Sequence, residues 1–157
     1  MLSVVIQPHS YQHMAKPSDI KSVSVIKFSR RALGERDFFY DELYNGELTD
    51  DAVKVIFDNL GNENVITYSG QLLRSMLSIL TRNNSQYSFD DSKIVGLMEM
   101  YSEEYPISKR WYKLVEALEN YGYKTIFDRD DPSEMTKNTL ILYRFMQKDS
   151  KFDDKLL

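Results

Sequence analysis

The first strand-like stretch of the chain reads Leu2-Ser3-Val4-Val5-Ile6-Gln7 and is followed at once by Pro8 and His9. A short β-branched apolar run that stops at a proline is typical of a buried strand. Mixed apolar alternation predicts two further strands over residues 20–29 and 37–41, joined as a hairpin by a charged turn. Three strands before any helix indicate that the domain begins with an antiparallel sheet.

Downstream of the hairpin, helical patterns alternate with one more strand. Apolar residues at helical spacing predict helices near 49–60, 70–82, 92–101, 108–121 and 132–147, and residues 64–68 are predicted as a fourth strand. Thr49, Ser69 and Asp131 are the expected N-caps, and Trp111 is expected to face the core. The order βββ-α-β-α followed by helices predicts an α/β (α+β) fold, a ribonuclease-H-like mixed β-sheet flanked by helices.

Composition limits the classes of function. A chain of 157 residues with 42% hydrophobic residues is expected to fold as one domain, placed here at residues 1–148 with a flexible C-terminal tail at 149–157. The absence of cysteine excludes disulfides, zinc fingers and thiol nucleophiles, and the net charge of −4 argues against sequence-independent nucleic-acid binding. No secretion signal or membrane-spanning stretch is visible in the sequence, so a cytoplasmic protein without membrane association is expected.

The order of elements resembles the DEDD family of 3′–5′ exonucleases over residues 2–147. Members of that family hold two metal ions with four acidic side chains. The Asp-x-Glu pair on the family's first strand would fall on Gln7 and His9, the acid of a later strand-to-helix turn on Leu73, and the last acid on Glu134. The last helix is also similar to that of the exonuclease A proteins of tailed phages.

The resemblance therefore implies a degenerate family member, because most of its acidic positions are not acidic. The general-base position would fall on Arg129 or Asp130, and neither is the histidine or tyrosine of the family. The prediction that follows is a catalytically inactive domain without metal or other cofactor. It would act by protein–protein contact, as a phage accessory or counter-defence factor that blocks a host nucleic-acid-handling enzyme.

Two alternatives of other classes stay open. One is a nucleic-acid-binding module that retains the exonuclease groove, and the other is a weak metal-dependent 3′–5′ nuclease that uses Glu134, Asp130 or Asp128. His9 and His13 are four residues apart, but they follow a proline in a predicted loop with no evident third ligand, so they are not expected to bind a metal.

The predicted interaction surface is basic. It comprises Lys27, Arg30, Arg31 and Arg36, which cluster around the first hairpin. Arginine suits interfaces because its planar group makes paired hydrogen bonds to carboxylate or phosphate. A merely solvated hairpin rim is the alternative for these four residues.

Overall fold

The computed structural model describes residues 2–10, 16–29, 35–42, 49–60, 64–107, 110–128 and 131–156. The strands are β1 (Leu2–Ser10), β2 (Ile20–Ser29), β3 (Glu35–Glu42), β4 (Val65–Thr67) and β5 (Ile94–Gly96). The helices are α1 (Asp50–Asn59), α2 (Gly70–Asn83), α3 (Leu97–Glu104), α4 (Leu114–Asn120) and α5 (Pro132–Lys148). Short 3-10 turns cover Pro17–Asp19, Asp91–Lys93 and Ser150–Phe152.

The five strands form one mixed sheet in the order β3-β2-β1-β4-β5. β1, β2 and β3 pair antiparallel, whereas β4 and β5 run parallel to β1. Val5 marks the centre, because it pairs with Ile26 on one side and with Ile66 on the other. The predicted mixed sheet is confirmed, and the first strand lies at its centre.

Two apolar clusters cover the two faces of the sheet, since neighbouring residues of a strand point to opposite faces. On β2, Val25 belongs to a cluster with α1 and α2, called here the α1–α2 cluster. The next residue, Ile26, belongs with Ile66 to a second cluster with α3, α4 and α5, called here the α5 cluster. The structure is therefore the three-layer arrangement in which a sheet is buried between helices.

The predicted N-caps are confirmed. The side-chain oxygens of Thr49, Ser69 and Asp131 accept hydrogen bonds from backbone amides of the first turns of α1, α2 and α5, at 3.1, 3.2 and 3.0 Å. These polar residues fix where each helix begins because they satisfy amides that have no partner within the helix.

Three elements differ from the prediction by three residues or more. β1 does not stop before Pro8 but continues to Ser10, because a proline removes one donor from the ladder and leaves the extended conformation intact. The helix predicted over 92–101 is divided instead into a 3-10 turn, the short strand β5, and α3 from Leu97 onward. A three-residue strand is defined by its pairing with β4 and has no periodic signal of its own.

The helix predicted from residue 108 begins only at Leu114. Glu116 determines where the helix begins. Its carboxylate accepts a hydrogen bond from the Lys113 amide at 2.8 Å and two hydrogen bonds from the Arg110 guanidinium, each at 2.7 Å. Trp111 therefore precedes the helix and is half exposed, so its assignment to the core was wrong.

The end of the chain packs onto the domain instead of forming the predicted tail. Phe152 is buried in the α5 cluster, and Asp149 accepts hydrogen bonds from the hydroxyls of Tyr105 and Tyr121 at 2.7 and 2.6 Å. The helical pattern of α5 ends at Lys148, so the sequence pattern alone does not predict that the residues after it pack onto the domain. Among the described residues, no helix is long and apolar enough to cross a membrane.

Candidate functional site

The candidate site lies where the carboxyl-terminal half of β1 meets the helix α5, which contacts β1, β2 and β4. Gln7 pairs with Ser24 and His9 pairs with Ser22 across the β1–β2 ladder. The first two positions implied by the exonuclease resemblance are therefore on the central strand, each opposite a serine of β2.

Buried polar groups accompany this part of the sheet. Ser22 and Ser24 are almost fully buried and lie on the same face as Ile26, since they alternate along β2. On α5, Asn138 is buried too. Among the described residues, nothing forms a hydrogen bond with the hydroxyl oxygens of the two serines or with the side-chain oxygen of Asn138. A buried polar atom left without a partner costs about 1–3 kcal/mol. This part of the sheet therefore contains polar atoms whose hydrogen-bonding capacity is not used by the described residues.

The start of α5 is held by its own side chains. Asp131 caps the helix, and Glu134, half buried, stands in its first turn with its amide 3.4 Å from the Asp131 carboxylate. The side-chain amide of Asn138 donates to the Glu134 carbonyl at 2.8 Å. Glu134 is thus a carboxylate in the capped first turn of α5, a position that the capping of the helix itself explains.

Leu73, the third implied position, is part of the core. It lies on α2, has 0% of its surface exposed, and packs in the α1–α2 cluster on the opposite face of the sheet from α5. Its side chain contributes apolar contact and supplies no ligand atom.

Glu99, which the sequence analysis does not single out, supplies the carboxylate at the start of α2. Its two oxygens accept hydrogen bonds from the amides of Gly70 and Gln71, both at 3.2 Å. A negative charge at a helix N-terminus is favourable because the first amides lack helical partners. The negative charge at this strand-to-helix turn therefore comes from α3 and serves the helix.

Two glycines make that contact possible. A Cβ atom on Gly96 would lie 2.8 Å from the amide nitrogen of Gly70 and would overlap the Glu99 carboxylate. These glycines are the sequence signal that could have predicted this close approach, since Gly96 ends β5 and Gly70 begins α2.

The residues described at the site do not fit a pair of metal ions. Two-metal phosphodiester chemistry needs several carboxylates that hold cations about 4 Å apart. Within the described ranges, no group of three or more His, Asp or Glu residues could hold a metal ion. The buried polar atoms of Ser22, Ser24 and Asn138 are neutral oxygens, which are poor substitutes for carboxylates.

The other predicted site residues are placed as follows. Asp128 is exposed, and Arg129 and Asp130 lie outside the described residues. Of the basic hairpin, Lys27 lies on β2 and Arg36 on the edge strand β3, while Arg30 and Arg31 also lie outside the described residues.

Comparisons with known proteins agree on the fold. The structure of the complex described as 3′-end-specific recognition of the histone mRNA stem-loop by 3′-exonuclease matches with a TM-score of 0.70 and 16% identity, over 95% of this chain and 82% of that one. The nuclease domain of 3′hExo, a DEDDh family member bound to rAMP, matches with a TM-score of 0.68 and 17% identity, over 95% and 92% of the two chains.

A full-length 3′-exonuclease matches with a TM-score of 0.68 and 15% identity, over 94% of this chain and 60% of that one. The sequence matches no protein-family model and no curated protein. The chain therefore has the DEDD exonuclease-like, ribonuclease-H-like fold.

Proposed function

We propose that this chain is a catalytically inactive exonuclease-like domain that acts by binding a protein. The observation that carries the proposal is the burial of Leu73, which turns one implied acidic position into part of the hydrophobic core. With Gln7 and His9 at two further positions, a single implied carboxylate, Glu134, is left in the sequence. One carboxylate cannot neutralise the charge that develops on both oxygens of an in-line displacement.

The role we favour is an accessory or counter-defence factor of a phage that blocks a host nucleic-acid-handling enzyme. The similarity of the last helix to phage exonuclease A proteins supports this role by analogy alone. A domain with the shape of an exonuclease but without its chemistry is able to occupy the contacts of an active enzyme without processing its substrate.

The basic hairpin is the proposed contact surface. It joins β2 to β3, and β3 is an edge of the sheet, so a partner can approach it from the side. Lys27, Arg30, Arg31 and Arg36 would favour a partner with an acidic surface, because complementary charge accelerates association and selects the partner.

The first experiment measures chemistry. Purified protein is incubated with single-stranded DNA and RNA in the presence of Mg²⁺ or Mn²⁺, and no trimming of the 3′ end is expected. Metal-dependent trimming that disappears in Glu134→Ala would establish the weak nuclease instead. The variant is purified in the same way and controls for contaminating enzymes, because a contaminant would trim in both preparations.

The second experiment measures binding. Tagged protein is copurified from its native host, and the affinity for the partner is compared with that of the triple variant Arg30→Glu, Arg31→Glu, Arg36→Glu. A loss of at least about tenfold is expected, equivalent to about 1.4 kcal/mol. Unchanged affinity would place the contact on another surface.

Nucleic-acid binding is the second candidate, favoured by the fold that the chain shares with a 3′-exonuclease described as recognising the 3′ end of a histone mRNA stem-loop. A mobility-shift titration at two salt concentrations separates the candidates. Phosphate contacts release counterions, so nucleic-acid affinity must fall steeply as salt rises. The absence of any shift at low salt would exclude this candidate.

A further inference from the structure

Residues 123–128 lie between α4 and α5, and residues 125–127 among them are called here the open edge. From Tyr123 to Asp128 the side chains alternate between partly buried and exposed, which is the period of two typical of a strand. No described residue forms a hydrogen bond with residues 125–127, and this segment belongs to none of the five described strands. Backbone groups of residues 125–127 that have no partner among the described residues, in a segment with this alternation, are a template for strand addition.

A fully exposed isoleucine lies at the middle of this segment. Ile126 is flanked by Thr125 and Phe127, and all three line an apolar groove of about 510 Å³. The other walls of the groove are formed by the start of α4 and by Met135 of α5. A large apolar side chain in full contact with water beside an apolar groove marks an interaction site.

We propose that the partner at this edge is a second copy of the chain, paired antiparallel about a two-fold axis through Ile126. Such an axis places each Lys124 opposite Asp128 of the second copy, and both side chains are exposed. The same pairing sets the two Ile126 side chains against each other. Opposite charges and apolar residues across from one another stabilise antiparallel pairs.

The segment is therefore complementary to itself, which is the requirement of a two-fold symmetric interface. This charge pattern is the reason to choose a second copy over an unrelated peptide. Exposed ion pairs contribute little individually, so the dimer is expected to be weak. The fraction of the protein that is dimeric should therefore rise with protein concentration. The inference does not depend on the loss of catalysis, because the pairing does not use the four positions of the exonuclease resemblance, which are Gln7, His9, Leu73 and Glu134.

Sedimentation velocity over a wide range of protein concentration tests the dimer. The unaltered chain should shift from monomer to dimer as concentration rises. Ile126→Asp should stay monomeric, and Lys124→Asp should weaken association at least about tenfold, equivalent to about 1.4 kcal/mol. Lys148→Asp, an exposed lysine on α5 changed in the same way, is the matched control and should dimerise normally.

Mixing two single variants gives the sharper result. Lys124→Asp and Asp128→Lys each place like charges across the interface when they self-associate. Combined, they place opposite charges at both pairs, so the mixture should dimerise at concentrations at which each variant alone stays monomeric. Circular dichroism of each variant verifies that it is folded. A monomer at every concentration, or a dimer that Ile126→Asp leaves intact, would overturn the proposal.

A disulfide measures the register directly, because the natural chain has no cysteine. Opposed residues of an antiparallel pair have Cα atoms about 4.5–5.5 Å apart, within disulfide range. Ile126→Cys should therefore form a covalent dimer with oxidised glutathione, which takes up the two electrons and two protons of the thiols. Lys124→Cys should not, since its two copies would be about 13 Å apart along the strands. Equal cross-linking of both variants would contradict the proposed register.

Discussion

Replacing Leu73 with aspartate tests whether the implied acidic position could still hold a metal. The substitution restores the residue type that the exonuclease resemblance implies there. The side chain is fully buried in the α1–α2 cluster, on the face of the sheet opposite α5. We therefore expect Leu73→Asp to destabilise the fold and to create no metal site.

The magnitude follows from the burial of the side chain. Truncation of a buried leucine costs about 2–5 kcal/mol through lost transfer energy and the cavity it leaves. A buried carboxyl without a partner adds about 1–3 kcal/mol even when it is neutral. Leu73→Asn, which has nearly the shape of aspartate but no charge, should therefore cost about 5 kcal/mol, a large part of a typical stability of about 5–15 kcal/mol.

The pH dependence of the free energy of unfolding separates the cost of burying a charge from the cost of changing the shape of the side chain. Burial raises the pKa of a carboxyl above its unfolded value of about 3.9, because the charged form loses its hydration. Above about pH 4 the folded variant therefore binds more protons than the unfolded chain, until pH passes the raised pKa. Leu73→Asp should match Leu73→Asn in stability below about pH 4 and should become progressively less stable than Leu73→Asn as pH rises toward neutrality.

Urea unfolding of both variants at several pH values, with and without Mg²⁺ or Mn²⁺, provides the measurement. A cost below about 1 kcal/mol for Leu73→Asp at neutral pH would mean that the side chain is at the surface. Stabilisation of Leu73→Asp, but not of Leu73→Asn, by either metal would mean that the position faces a working metal site. Either result would refute the assignment of Leu73 to the core and with it the main support for lost catalysis.

Two further predictions concern carboxylates that hold the fold together. Asp149→Ala should lower the free energy of unfolding by about 3 kcal/mol, since it removes two hydrogen bonds to a charged group, and Tyr121→Phe should lose about half as much in the same urea titration. Burial acts to raise the pKa of Asp149, but hydrogen bonds from Tyr121 and Tyr105 outweigh it and leave the pKa below its ordinary value. This stabilisation is therefore present above the ordinary carboxyl pKa of about 4 and is lost as pH falls below it, which a comparison of unaltered protein with Asp149→Asn checks. Glu99→Gln should cost about 1 kcal/mol in thermal unfolding, because a charge at the N-terminus of α2 is replaced by a neutral group of the same shape.

The sequence predicts well those parts of the fold that local chemistry determines. The strand at 20–29 is recovered with the predicted bounds, and the caps at Thr49, Ser69 and Asp131 begin helices as expected. These elements depend on the period of the apolar residues and on a polar side chain within three positions of a free amide. Both signals are contained in a short window of sequence.

The missed features depend on residues far apart in the chain. β5 exists because Ile94–Gly96 pairs with β4, and Glu99 is needed at Gly70, which lies 29 positions away. For Trp111 the prediction extended a helix too far toward the N-terminus. Its spacing to the later apolar residues is helical, but the hydrogen bond from the Lys113 amide to Glu116 makes α4 begin after Trp111. A periodic pattern reports which face a residue would take within a helix but not where tertiary contacts let that helix begin.

The burial of Leu73 bears on how the proposed inactive domain is stabilised. Carboxylates that converge without cations repel one another, so a centre that gathers four of them gains stability when its metals bind. At one position where the resemblance implies an acid, Leu73 adds apolar contact to the α1–α2 cluster, so no such repulsion arises there. Under the proposed function, the domain folds before it meets any ligand. Its binding energy then has to come from surfaces, and the hairpin at the β3 edge and the open segment around Ile126 belong to different elements of the chain. Variants of one surface should therefore leave the other unchanged, because mutations without shared contacts are additive to within about 0.5 kcal/mol.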